Sequence, residues 1–228
     1  MKDNPLNKFV TSEQRKRMNK IRLKSFFYPF KQKRLNHVSA AVKSKLNEYN
    51  INSPLTFDLK YPRENDNSSW ACSDSRKWMK IVPIHYNPCY IKAEIYDLIK
   101  TGIHEYCHIF YQQKEDLCSG GPLGELIREM LQKSNIDYNT YNDSIEYLTN
   151  KFGSIFRFTM SPEERECLKD PEVLEHFRME SFVEGFAGYF VDKQEGIFIE
   201  EKKHFETIIN VHIQLMKKFN RGYLANAD

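Results

Sequence analysis

The sequence predicts an α+β fold, and three observations carry that prediction. Helical and extended patterns run in the order helix, two or three strands, then mostly helices, which separates the helices from a small mixed sheet. Hydrophobic residues make up 40% and aromatic residues 14% of the 228 residues, enough to build a real core for one generous domain. Every apolar stretch is broken by charge well before the roughly 18 residues that a transmembrane segment needs.

Taken in order, residues 34–49 set Val38, Ala41, Val42, Leu46 and Tyr49 at helical spacing, and Asn52, Ser53 and Pro54 end that helix. LTFDLKY alternates as a strand over 55–61. Beyond a polar loop, PRENDNSS, Trp70 and the run RKWMKIVPIHY over 76–86 read as extended chain. Pro83 removes a backbone donor from that run, which predicts an edge strand. A long helix is expected over 91–113, after Asn87 and Pro88.

CSGGPLG then forms a flexible turn, 125–133 is helical, and 134–160 is polar and rich in Tyr and Asn, with weak periodicity. Ser161-Pro162-Glu163-Glu164 and Asp170-Pro171-Glu172 are helix starts, each with a capping side chain and a proline in the first turn. The second opens a helix to about residue 193. A last amphipathic helix over 200–219 sets Phe205, Ile208, Ile209, His212, Ile213 and Met216 on one side.

The formal charge of +3 conceals an asymmetry. Residues 1–36 hold eleven Lys and Arg against Asp3 and Glu13, a net of +9, and the rest of the chain carries −6. A basic N-terminal arm (1–36) on an acidic body (37–228) predicts an acidic partner: nucleic acid, an anionic membrane surface, or the body itself. The insert Phe26, Phe27, Tyr28 and Phe30 predicts that part of the arm meets something apolar. Cys72, Cys89, Cys107, Cys118 and Cys167 are odd in number and form no CxxC pair, which argues against a disulfide framework or a cysteine zinc knuckle. Reduced thiols and the lack of an apolar leader in MKDNPLNKFV give the expectation of a cytoplasmic protein, or of one exported without a secretory signal peptide into a host cell.

The stretch that carries chemistry is His104-Glu105-Tyr106-Cys107-His108, an HExxH. Histidines four apart on a helix project the same way and can meet on one Zn²⁺, while the glutamate between them can hold a metal-activated water as general base. With His104 as the zero of angle, Ile95, Leu98, Ile99, Gly102, Tyr106, Ile109 and Phe110 fall between about 120° and 240°. The helix thus has an apolar back and a ligand front. Cys107 lies near that front at about 300°, where a buried, inert thiol is the common outcome. Asp97 and Thr101 fall on the His104 face and are candidate hydrogen-bond partners for a ligand histidine.

A catalytic zinc needs a third protein ligand. The extended pattern HExxHxxGxxH fails at Tyr111 and Lys114, so this ligand must come from elsewhere. In the later helix, Glu180, Glu184, Ala187, Gly188 and Val191 share one face. Gly185 and Gly188, costly inside a helix, predict close approach to the HExxH helix.

HEYCH followed by Glu184-Gly185-Phe186-Ala187 resembles the gluzincin clan of zinc metallopeptidases, whose aminopeptidase members carry the third ligand in a similar Glu-Gly-Phe-Ala string. Residues 117–170 would then be an insertion between the ligand helices, expected to roof the cleft, of a zincin-like domain. The resemblance implies one Zn²⁺ per chain on His104, His108 and Glu184, with Glu105 as general base. A thermolysin-like variant instead has Glu180 on the metal and Glu184 orienting a histidine. Gluzincins also supply an oxyanion donor downstream of the third ligand, for which the candidates are Tyr223, His204 and His212. Substrate would add as a strand beside the run ending at His85.

The expected function is a zinc endopeptidase acting on a protein or peptide. The alternative is a non-catalytic regulatory protein of the same fold, binding nucleic acid or another partner through residues 1–36. A degenerate site with a structural metal is a third reading, which the intact Glu105 opposes.

Overall fold

The computed structural model describes residues 11–61, 70–77, 81–133, 135, 137–192 and 200–224. The first ten residues of the basic arm, the polar loop at 62–69 and residues 78–80 of the expected second strand lie outside them.

Helix α1 (Ser12–Phe26) starts from a capping box in which Thr11 and Gln14 satisfy each other's backbone donors. It lies on the body: Ile21 packs against the core, Ser25 is buried and accepts a hydrogen bond from the Lys92 backbone, and Arg17 pairs with Asp97 at 2.7 Å. Of the partners expected for the basic segment, the acidic body accounts for Arg17. Helix α2 (Lys31–Asn47) buries Leu35, Val38, Val42 and Leu46, the stripe that its helical spacing predicts.

The sheet has three strands, β1 (Leu55–Leu59), β2 (Ala71–Ser73) and β3 (Val82–Tyr86), in the order β1-β3-β2. β1 runs parallel and β2 antiparallel to β3, so the sheet is mixed. β3 is therefore central and not the edge strand that Pro83 predicts. The Val82 amide bonds to the Pro54 carbonyl on the β1 side, so alternation turns the Pro83 nitrogen to the other side. There β2 begins its pairing only at Ser73 opposite Ile84, and the missing donor costs no ladder bond. Val82, Ile84 and Tyr86 are buried on the face toward the helices.

Helix α3 (Ile95–Cys118) crosses that face, with Leu98, Gly102, Ile103, Tyr106, Ile109 and Phe110 buried. Gly102 is required there: a Cβ would stand 2.1 Å from the Tyr86 hydroxyl and 2.8 Å from Val42. Its absence lets Tyr86 donate to the Leu98 carbonyl at 2.8 Å and seats α3 on both β3 and α2.

Four further helices follow before the last: α4 (Pro122–Lys133), α5 (Tyr138–Thr159), α6 (Pro162–Cys167) and α7 (Pro171–Asp192). The chain then ends in α8 (Lys202–Leu224). The weakly periodic segment 134–160 is thus mostly one long helix. α5 buries Tyr141, Ile145, Leu148 and Phe152 between α7 and α8, so this face of the segment belongs to the core. Gly185 of α7 makes its close approach to α5, where a Cβ would meet the Phe152 ring at 2.3 Å, and not to the HExxH helix as expected. α7 reaches α3 through rings instead: Phe110 stacks on Phe186 at 4.5 Å, and Tyr111 lies 5.7 Å from Phe182.

Candidate metal centre

Helices α3 and α7 face each other with ligand chemistry on both sides. His104 and His108, one turn apart, lie with ring centroids 5.1 Å from each other. Opposite them, Glu180 sets one oxygen 3.2 Å from His104 Nε2 and the other 3.8 Å from His108 Nε2. One donor atom from each of His104, His108 and Glu180 lies within 4.8 Å of the others, the one such group among the described residues.

Glu184, the expected third ligand, stands outside that group. One turn further along α7, it contacts His104 Nδ1 at 3.1 Å with one oxygen and Lys100 Nζ at 2.6 Å with the other. An acceptor on Nδ1 orients the ring and leaves Nε2 turned toward Glu180 and His108.

The electrostatics agree with a site built for a cation. Burial opposes charge on His104, but its hydrogen bonds to Glu180 and Glu184 prevail and raise its pKa to about 10. Burial likewise opposes charge on Glu184, yet His104 and Lys100 hold its carboxyl down at about 2, and His104 and His108 lower that of Glu180. His108, by contrast, is lowered to about 4, chiefly by burial, and is a neutral imidazole. Two ionised carboxylates thus stabilise positive charge where Nε2 of His104 stands, and a neutral nitrogen waits beside it.

Glu105 points to the β2 side. Burial raises its carboxyl to about 6, with the charge on His104 and hydrogen bonds from Ser73 opposing. Ser73 also donates to the Glu105 carbonyl at 2.9 Å, tying the end of β2 to the HExxH turn. A carboxylate with a pKa near 6 is a competent general base near neutral pH.

The remaining candidates lie elsewhere. His212 is fully buried behind α3, where Tyr106 and Gln113 occupy its two ring nitrogens. His204 stacks on Tyr147 and bonds Ser144 at the α5–α8 contact. Tyr223 falls on the last turn of α8, with its side chain outside the described residues. Asp97 is taken by Arg17, and the Thr101 hydroxyl donates to the Asp97 carbonyl, so neither supports a ligand histidine. Cys107 is buried, and burial pushes its thiol well up.

Three residues not singled out in the sequence contribute. Lys100 precedes His104 by one turn and holds Glu184. His176 precedes Glu180 by one turn and lies 3.9 Å from its oxygen. Ser73 positions Glu105. The i,i+4 spacing could have found the first two, whereas Ser73 becomes visible only with the sheet. Compared with known proteins, the chain matches no family model, no curated protein and no solved structure, so the chemistry of this centre is judged from its own residues.

Proposed function

We propose that the chain is a zinc-dependent endopeptidase of zincin-like fold, acting on a protein or peptide through the centre between α3 and α7. One observation carries this reading: two imidazoles and a carboxylate converge within 4.8 Å, beside a glutamate whose pKa is raised to about 6. Two nitrogens and one oxygen are a donor set that catalytic zinc sites use, with a coordination position left for water or substrate. His104, His108 and Glu180 would hold the ion, and Glu184 would fix the ring of His104.

When bound, the ion supplies Lewis acidity and makes water nucleophilic near neutral pH. The protein's part follows from its own groups. Glu105, ionised at neutral pH, accepts the proton of the attacking water and delivers it to the leaving amine. Ser73 ties the Glu105 turn to β2, an edge strand of the sheet among the described residues and the natural place for an extended substrate to add as a strand. His176, beside Glu180, is the nearest further imidazole and a candidate donor to the developing oxyanion.

The test is zinc content per purified chain, measured alongside hydrolysis of fluorescein-labelled casein. About one zinc is expected in the wild type and in Glu105→Gln, and none in Glu180→Ala. A wild type that takes up no zinc after reconstitution would end the peptidase reading. Retention of zinc in Glu180→Ala with loss in Glu184→Ala would move the third ligand by one turn.

A further inference from the structure

The turn joining α1 to α2 puts its aromatic side chains into solvent. Phe26, Phe27 and Phe30 are 72%, 73% and 61% exposed, and Leu23 is 64% exposed. This turn is held in place from beneath: Ser25 bonds the Lys92 backbone, and Tyr28 lies half-buried under the Lys92 ammonium at 4.2 Å. Of the apolar insert, Tyr28 packs against the core, whereas Phe26, Phe27 and Phe30 stay exposed among the described residues.

Charge surrounds it. Round α1, Lys16, Lys20, Leu23, Lys24 and Phe27 fall within about 100° of one another, while Ile21 and Ser25 face the body on the other side. Lys31 and Lys33 open α2 beside the same tip. These five lysines make no ion pair among the described residues, in contrast to Arg17.

We infer that the α1–α2 turn is a docking surface for an anionic lipid bilayer, with Leu23, Phe26, Phe27 and Phe30 entering the interface and the lysines lying on the headgroups. Neither half of the surface suffices alone. Phenylalanine and leucine gain by leaving water for the acyl boundary, and lysine keeps its ammonium at the phosphate while its stem follows the apolar groups. A bilayer bearing phosphatidylserine offers both environments in one plane. Nucleic acid fits less well, since base-stacking proteins set their rings along a groove that tracks the strand, and these rings protrude. A second copy of the tip would bring its five lysines against five more. The inference is independent of the peptidase reading, because it uses no residue of the metal centre.

Co-sedimentation of the full chain with vesicles tests it, comparing phosphatidylcholine alone with a 70:30 mixture of phosphatidylcholine and phosphatidylserine. Binding is expected only to the mixture and should weaken with salt. Replacing Lys16, Lys20 and Lys24 by Gln should weaken it roughly 100-fold, at about fivefold per lysine. Replacing Phe26, Phe27 and Phe30 by Ser should weaken it at least tenfold, with an unchanged thermal melt, because all three are exposed. In a separate protein, Phe27→Trp should shift its emission to the blue on the mixed vesicles and not on phosphatidylcholine. No preference for the anionic vesicles, or loss of binding in the lysine variant alone, would overturn the proposal. So would binding of single-stranded RNA with no vesicle binding, or a concentration-dependent dimer abolished by the serine substitutions.

Discussion

Helix α3 carries a polar cluster on each of two sides, and each contains histidine. On the front, His104 and His108 meet Glu180 and Glu184 in a half-open, charged setting. On the back, Tyr106 and Gln113 of the same helix meet His212 of α8 in a buried, uncharged cluster, which the half-buried Ser53 extends. Gln113 donates its amide to Nδ1 of His212, so the ring proton sits on Nε2 and goes to Tyr106, which in turn donates to Ser53. The ring distances resemble each other, but the chemistry differs. Carboxylates hold a proton on His104, whereas burial alone strips one from His212, whose pKa falls to about 3. The front can exchange its proton for a metal ion, and the back can only hold the helices together.

Substitutions on the two sides should therefore separate activity from stability. The largest expected effect is on the front: Glu105→Gln should lower hydrolysis by roughly 10²–10⁴-fold while leaving zinc content and the urea midpoint unchanged. Loss of zinc together with activity would mean that Glu105 is a ligand rather than a base. On the back, His212→Phe should leave zinc content intact and cost about 2 kcal/mol of stability, because Gln113 and Tyr106 lose their buried partner. A urea titration that finds the variant as stable as the wild type would show that the chain of hydrogen bonds contributes nothing. A zinc titration of Glu184→Gln should show affinity about 10-fold weaker, the lower end of the effect of disturbing a group that orients a ligand. An effect as large as that of Glu180→Ala would erase the distinction between the two carboxylates.

How much of this was legible in the sequence depends on how locally each feature is decided. α3 was legible because its apolar residues recur at the helical period, and Leu98, Gly102, Tyr106, Ile109 and Phe110 are buried as that period requires. Ile99 is half-buried, and Ile95 is exposed at the first turn. α5 was hidden because its stripe of Tyr141, Ile145, Leu148 and Phe152 is interleaved with Ser144 and Thr149, polar residues that are buried too. The central place of β3 depends on β2, three residues long and pairing over positions 84–86 only, which leaves Pro83 without a partner on that side. The two glutamates were legible, but not which of them lies nearer both histidines. They share one face of α7, and which of them meets both histidines depends on how far α7 slides along α3, a distance set by Phe110, Phe182 and Phe186. His212 illustrates the converse: it shares its helix face with Phe205, Ile208, Ile209 and Met216, the pattern of a core position, and it is fully buried.

The smallest effect expected is the pH dependence of the buried side. In the unfolded chain His212 titrates at its ordinary value near 6.5, and in the folded protein burial depresses it to about 3. A depressed histidine contributes stability that is complete above 6.5 and is lost as pH falls toward 3, since the unfolded chain takes up the proton first. Between pH 7.5 and 5.5 the loss amounts to about 1 kcal/mol. Other titrating groups, His104 and the carboxylates among them, change stability over the same range, so the wild type alone cannot isolate the effect. The comparison with His212→Phe can, because those groups are common to both proteins. The gap in urea stability between them should narrow by about 1 kcal/mol on going from pH 7.5 to 5.5. A gap that stays constant would mean that His212 accepts its proton as readily inside the fold as outside, and that the back of α3 is not the dry, neutral cluster that contrasts with the front.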